Sequence, residues 1–84
     1  MNTHYTLHPC CRVRREAFGL LFYDSRGPKL LFAETGDLLA PEELESGVRW
    51  ADLERRMDTR TASRVQGLLE RLAAKGFLRE QSVC

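Results

Sequence analysis

Ala17-Phe18-Gly19-Leu20-Leu21-Phe22-Tyr23-Asp24, then Ser25-Arg26-Gly27-Pro28, then Lys29-Leu30-Leu31-Phe32-Ala33-Glu34 is the stretch whose reading decides the fold. Two apolar runs flank a short polar segment, which is the pattern of a β-hairpin. Gly27 tolerates positive φ, and Pro28 has no N–H to give to a ladder. In the first run Phe18, Leu20 and Phe22 fall on one face, Leu21 and Tyr23 on the other. In the returning run Leu30 and Phe32 alternate with Leu31 and Ala33. Both strands are apolar at nearly every position, so both sheet faces need cover or one edge needs a partner. Gly19 inside the first strand marks a bulge or a close backbone approach.

Upstream, Tyr5 to His8 suits a short extended piece closed by Pro9, which biases His8 away from helix. Arg12-Val13-Arg14-Arg15-Glu16 reads as a polar lead-in to the hairpin or as a short edge strand, blunted by its charges. Downstream, Thr35-Gly36-Asp37 breaks the strand. Pro41 followed by Glu42, Glu43 and Glu45 begins a short helix that Gly47 stops. A second helix runs from Trp50 or Ala51 to Met57, and Asp58-Thr59-Arg60-Thr61 offers several N-caps for a third.

That third helix has the strongest periodicity in the chain. Ala62, Val65, Leu69 and Leu72 share one face, with Leu68 and Ala73 beside it. Gly76 ends it, Phe77 and Leu78 return to the core, and Arg79 to Cys84 is a polar tail. The expected architecture is α+β and winged-helix-like: an N-terminal antiparallel β-hairpin or three-stranded sheet followed by three helices, with residues 1–84 as a single domain.

Composition narrows the function. With 43% hydrophobic and 30% charged residues, the 84-residue chain has the balance of a folded domain rather than a disordered one. A chain this short buries only ~60% of its unfolded surface, so its core is small. The apolar run around Leu20 to Tyr23 falls far short of the ~18 residues a membrane helix needs. Met1-Asn2-Thr3-His4-Tyr5 lacks the features of a secretory signal, so the expected compartment is the cytoplasm. Cys10, Cys11 and Cys84 then read as free thiols. His4, His8, Cys10 and Cys11 are metal-ligand types, but adjacent cysteines lack the spacing of a structural zinc site, so no metal is expected.

Catalytic constellations are not expected either. Gly19, Gly27 and Gly36 are isolated and form no phosphate loop. Both histidines lie within the first eight residues, and Glu42 and Glu43 diverge from a helix start. The reading is a binding protein with no catalytic residues and no cofactor.

Two surfaces compete for the binding role. The last helix carries Arg60, Arg64, Arg71 and Lys75, the last three in a stripe with Leu68. With Thr61, Ser63, Arg64 and Gln66 near its start it also suits a small DNA-binding regulator. Glu54 and Glu70 offset nearby arginines, however, and a net charge of +1 is low for a lone DNA module. The second surface is the returning strand, Lys29 to Glu34. An apolar edge left open is a place where an extended peptide adds as a further strand. Beside the last helix it makes a groove with Leu31 or Phe32 as floor and Leu68, Arg71, Leu72 and Lys75 as wall.

The residues Leu7-His8-Pro9, Val13-Arg14, Phe18-Gly19-Leu20-Leu21-Phe22-Tyr23 and Lys29-Leu30-Leu31-Phe32 resemble the opening half of MftB, the peptide-binding chaperone family of mycofactocin biosynthesis. That family sits in the PqqD-like group of RiPP recognition elements. Val65 to Leu78, ending Leu72-x-x-Lys75-Gly76-Phe77-Leu78, resembles the last helix of the group, a segment shared with many winged-helix regulators. Gly36 to Asp58 carries no motif of the family.

The resemblance implies a non-catalytic chaperone that binds the leader of a ribosomally made precursor peptide by strand addition. It would present that peptide to a radical SAM maturase, which holds the iron–sulfur cluster. It places the added strand beside Lys29, Leu30, Leu31, Phe32 and Ala33, against a helix wall of Arg64, Leu68, Arg71, Leu72 and Lys75. The chain is expected to work as a monomer or weak dimer, without membrane and without nucleic acid. The competing expectation is the winged-helix transcriptional regulator.

Overall fold

The computed structural model of the chain describes residues 2–27, 29–36 and 38–83. Pro28, Asp37 and Cys84, which enter the turn, strand-break and thiol readings, lie outside them. Within the described residues the chain is a small α+β domain with three helices. Strands β1 (Asn2–Leu7), β2 (Cys11–Glu16), β3 (Gly19–Asp24) and β4 (Lys29–Ala33) come first. Helix α1 (Pro41–Ser46), the short β5 (Val48–Arg49), α2 (Trp50–Glu54), α3 (Thr59–Ala74) and β6 (Leu78–Val83) follow.

The strands form two antiparallel sheets, ordered β2-β3-β4 and β5-β1-β6. In the first, Leu20 lies opposite Ala33, and Phe22 opposite both Leu31 and Val13. These side chains turn to the core, where Leu20 and Phe22 are wholly buried and Ala33 nearly so. The alternate residues Leu21, Tyr23, Leu30 and Phe32 face outward with Arg12 and Arg14. Helix α3 covers the inner side with Ala62, Val65, Leu69 and Leu72, and Leu39, Leu44, Trp50, Leu53 and Phe77 fill the remainder.

Local chemistry sets the helix ends. Asp58 caps α3 by accepting the Thr61 N–H at 2.8 Å. At its other end the Gly76 N–H reaches the Ala73 carbonyl and the Phe77 N–H reaches that of Leu72. Gly76 takes φ +88° there. This is a Schellman close, and it drives Phe77 into the core. In α1 the Glu43 carboxylate accepts the Ala40 N–H at 3.0 Å and bridges to Arg56 at 2.8 Å.

Several expectations need correction. The polar tail is strand β6, paired with β1 from Asn2↔Val83 to Leu7↔Leu78. Its Arg79, Glu80 and Gln81 are exposed, so hydrophobic alternation gives no sign of it; the ladder is bought by backbone partners more than seventy residues away in sequence. The extended piece at Tyr5 is accordingly the central strand of a sheet rather than a fragment. The second helix stops at Glu54, where Arg56 and Met57 bond three residues back to Leu53 and Glu54 and tighten the chain into turn. Phe18 is not on the buried face: it sits in the two-residue turn between β2 and β3, 46% exposed, with its ring 5.5 Å from that of Phe32. Gly19 behaves as the glycine reading requires. A Cβ there would lie 2.1 Å from the Ala33 carbonyl oxygen, at φ +153°.

Candidate functional site

Strand β4 ends the β2-β3-β4 sheet, and among the described residues no strand pairs with its outer edge. A groove of about 360 Å³ lies between α3 and the C-terminal end of that edge with the segment that follows it. Phe32, Ala33, Glu34, Thr35 and Leu38 form its strand side; Thr61, Arg64, Val65, Leu68 and Arg71 form its helix side. The groove exists because α3 docks through Ala62, Val65, Leu69 and Leu72, which leaves its Arg64–Leu68–Arg71 flank beside the sheet edge rather than under it.

The expected site residues divide in three. Phe32, Ala33, Arg64, Leu68 and Arg71 line the groove together. Lys29, Leu30 and Lys75 are exposed outside it, Leu30 by 62% on the outer sheet face. Leu31 and Leu72 turn to the core, and Leu72 is wholly buried, so it supports the wall from behind instead of forming it. Leu72 belongs to the apolar face of α3 and Leu68 sits beside that face, so the two straddle the boundary between core and groove. Thr35, Leu38, Thr61 and Val65 are groove residues that the sequence reading did not assign. Val65 was legible as core, and Thr61 as part of the cap; nothing local links either to β4.

The groove's electrostatics are lopsided. Arg64 and Arg71 are exposed, and among the described residues neither has a carboxylate partner. Among the described residues Glu34 is the single acid lining the groove against these two cations. The Thr35 hydroxyl, at the strand end, is buried and has no hydrogen-bond partner among the described residues.

A second polar cluster lies elsewhere. Asp24, almost wholly buried, receives both Nε and Nη2 of Arg26 at 3.0 Å and the Arg26 N–H at the same distance. The Arg26 side chain holds the Asp24 carboxyl down to about 2. Arg26 also donates to the Gly76 carbonyl at 3.0 Å, and its Nη1 lies 3.1 Å from His8 Nε2. Desolvation and the Arg26 charge both press His8 toward its neutral form. The Cys11 Sγ lies against the same Gly76 carbonyl, and burial pushes its thiol up, away from the reactive thiolate. The cluster ties the β3–β4 turn to the α3–β6 turn and to the β1–β2 loop. His4, far along β1, packs instead on Gly47, so the imagined His4–His8–Cys10–Cys11 set is not one cluster. Among the described residues no three His, Cys, Asp or Glu side chains come together as metal ligands, and no helix is long and apolar enough to cross a membrane.

Comparison with known proteins finds no family model, no curated protein and no solved structure that matches this chain.

Proposed function

We propose that this chain is a non-catalytic, winged-helix-like recognition domain that captures an extended peptide along β4. The observation that carries this reading is the groove between the open edge of β4 and the Arg64–Leu68–Arg71 flank of α3. An unpaired edge offers a row of backbone donors and acceptors, and strand addition satisfies them without remodelling the fold. The exposed Leu30 and Phe32, 62% and 59%, lie along the same strand and gain cover from an added neighbour. Within that class, the resemblance in residues 7–32 and 65–78 suggests the MftB-like peptide chaperones. The partners would be a precursor-peptide leader and the radical SAM maturase that receives it.

Titration with the short precursor peptide encoded beside the gene should give saturable binding that disappears when the leader is removed. No binding at high-micromolar concentration ends this reading. Successive N–H groups along β4 alternate between β3 and the open edge, so one of Leu30→Pro and Leu31→Pro leaves the β3 ladder intact. That variant should keep its circular dichroism spectrum and lose the peptide. If it binds like wild type, the peptide does not add to β4.

The DNA-binding regulator is the second reading, favoured by the short α2, the turn and the exposed Thr59, Arg60, Ser63 and Gln66 at the start of α3. It requires duplex DNA retention that weakens log-linearly with salt.

A further inference from the structure

The groove wall presents Arg64, Leu68 and Arg71 in that order along α3. Steps of four and three residues place them ~6 and ~4.5 Å apart along the helix axis, ~10.5 Å in all. An extended chain beside β4 turns alternate side chains toward the helix at ~6.6 Å intervals, so three successive inward residues span ~13 Å. The middle one of the three would meet Leu68, half-buried and packed on the core. The outer two would meet the guanidinium groups of Arg64 and Arg71, whose flexible stems can cover the difference in length.

Both guanidinium groups lack a carboxylate among the described residues, whose lining of the groove holds one acid, Glu34, against two cations. A guanidinium fork matches a carboxylate in two-pronged geometry. Resting on the peptide-groove reading, we infer that the groove selects an extended segment of the pattern acidic–x–apolar–x–acidic. The pattern reads the same in both directions, so it holds whether the segment runs parallel or antiparallel to β4. A segment with basic flanks would set four cations together, and one with polar residues at the centre would strand them on Leu68.

Selection of random displayed peptides against the immobilised full chain, wild type and Arg64→Glu/Arg71→Glu, tests this. Wild type should enrich acidic–x–apolar–x–acidic, and the double variant basic–x–apolar–x–basic. A synthetic peptide carrying Glu-Thr-Leu-Thr-Glu, taken from the enriched set, should lose roughly tenfold or more in affinity for the double variant, while its scrambled form binds neither. Circular dichroism should match between the two proteins, since both arginines are exposed. Peptides that lose binding in the ladder-preserving proline variant, yet show no acidic alternation, overturn the pattern and leave the peptide-groove reading standing. Enrichment of nothing, or only of peptides indifferent to that proline, removes both.

Discussion

At the scale of single residues, Gly19 and Asp24 each fix a place where the chain has no alternative. Gly19 lets the start of β3 lie against the Ala33 carbonyl and the Thr35 N–H, and a methyl group there has nowhere to go. Gly19→Ala should lower the unfolding free energy by about 2–4 kcal/mol through overpacking and a strained φ, read as an earlier denaturant midpoint. Asp24 acts through its charge. Its pKa is lowered from 3.8 to about 2 in the folded chain, so the folded state favours the carboxylate. The resulting stabilisation is fully present above about pH 4 and is lost as pH falls toward about 2. Thermal unfolding should therefore drop across that window, and Asp24→Asn should flatten it. Gly19 was legible as a close-approach glycine from its place in an apolar strand. The Asp24–Arg26 tie was not, because its third anchor, the Gly76 carbonyl, is fifty residues away in sequence.

At the scale of elements, the helices follow from local signals and the strands do so only in part. Helix α3 begins at the Asp58 cap and closes at Gly76, where cap chemistry and periodicity place it. The ladder β3-β4 likewise follows from its apolar runs. Strand β6 has no such signature and exists because β1 offers it an edge. Truncation after Leu78 removes mostly polar residues, yet it should cost about 2 kcal/mol or more by unpairing β1 from β6, seen as a lower melting temperature. A melting temperature equal to wild type would return the segment to a passive tail.

At the scale of the molecule, one sheet face is buried by α3 while the other carries Tyr23, Leu30 and Phe32 to solvent with Arg12 and Arg14 alongside. The hairpin's two-sided apolar character is thus met on one side only. Under the peptide-groove reading, Arg64 and Arg71, which have no carboxylate partner among the described residues, make capture electrostatic as well as hydrophobic. Affinity for an acidic leader should fall severalfold as ionic strength rises to about 1 M, where the Debye length shrinks to ~3 Å. An affinity independent of salt would assign recognition to β4 and Leu68 alone.

Pattern and composition by themselves determined the α+β class, the hairpin of β3 and β4, the close of α3 at Gly76 and its buried stripe. All of these rest on interactions within a few residues or on a repeating period. Tertiary structure alone decided that residues 78–83 join β1, that Phe18 faces solvent, and that Arg64, Leu68 and Arg71 meet Phe32 and Ala33 across one groove. Each of those depends on which distant backbone or side chain arrives beside it, and no local propensity encodes that arrival.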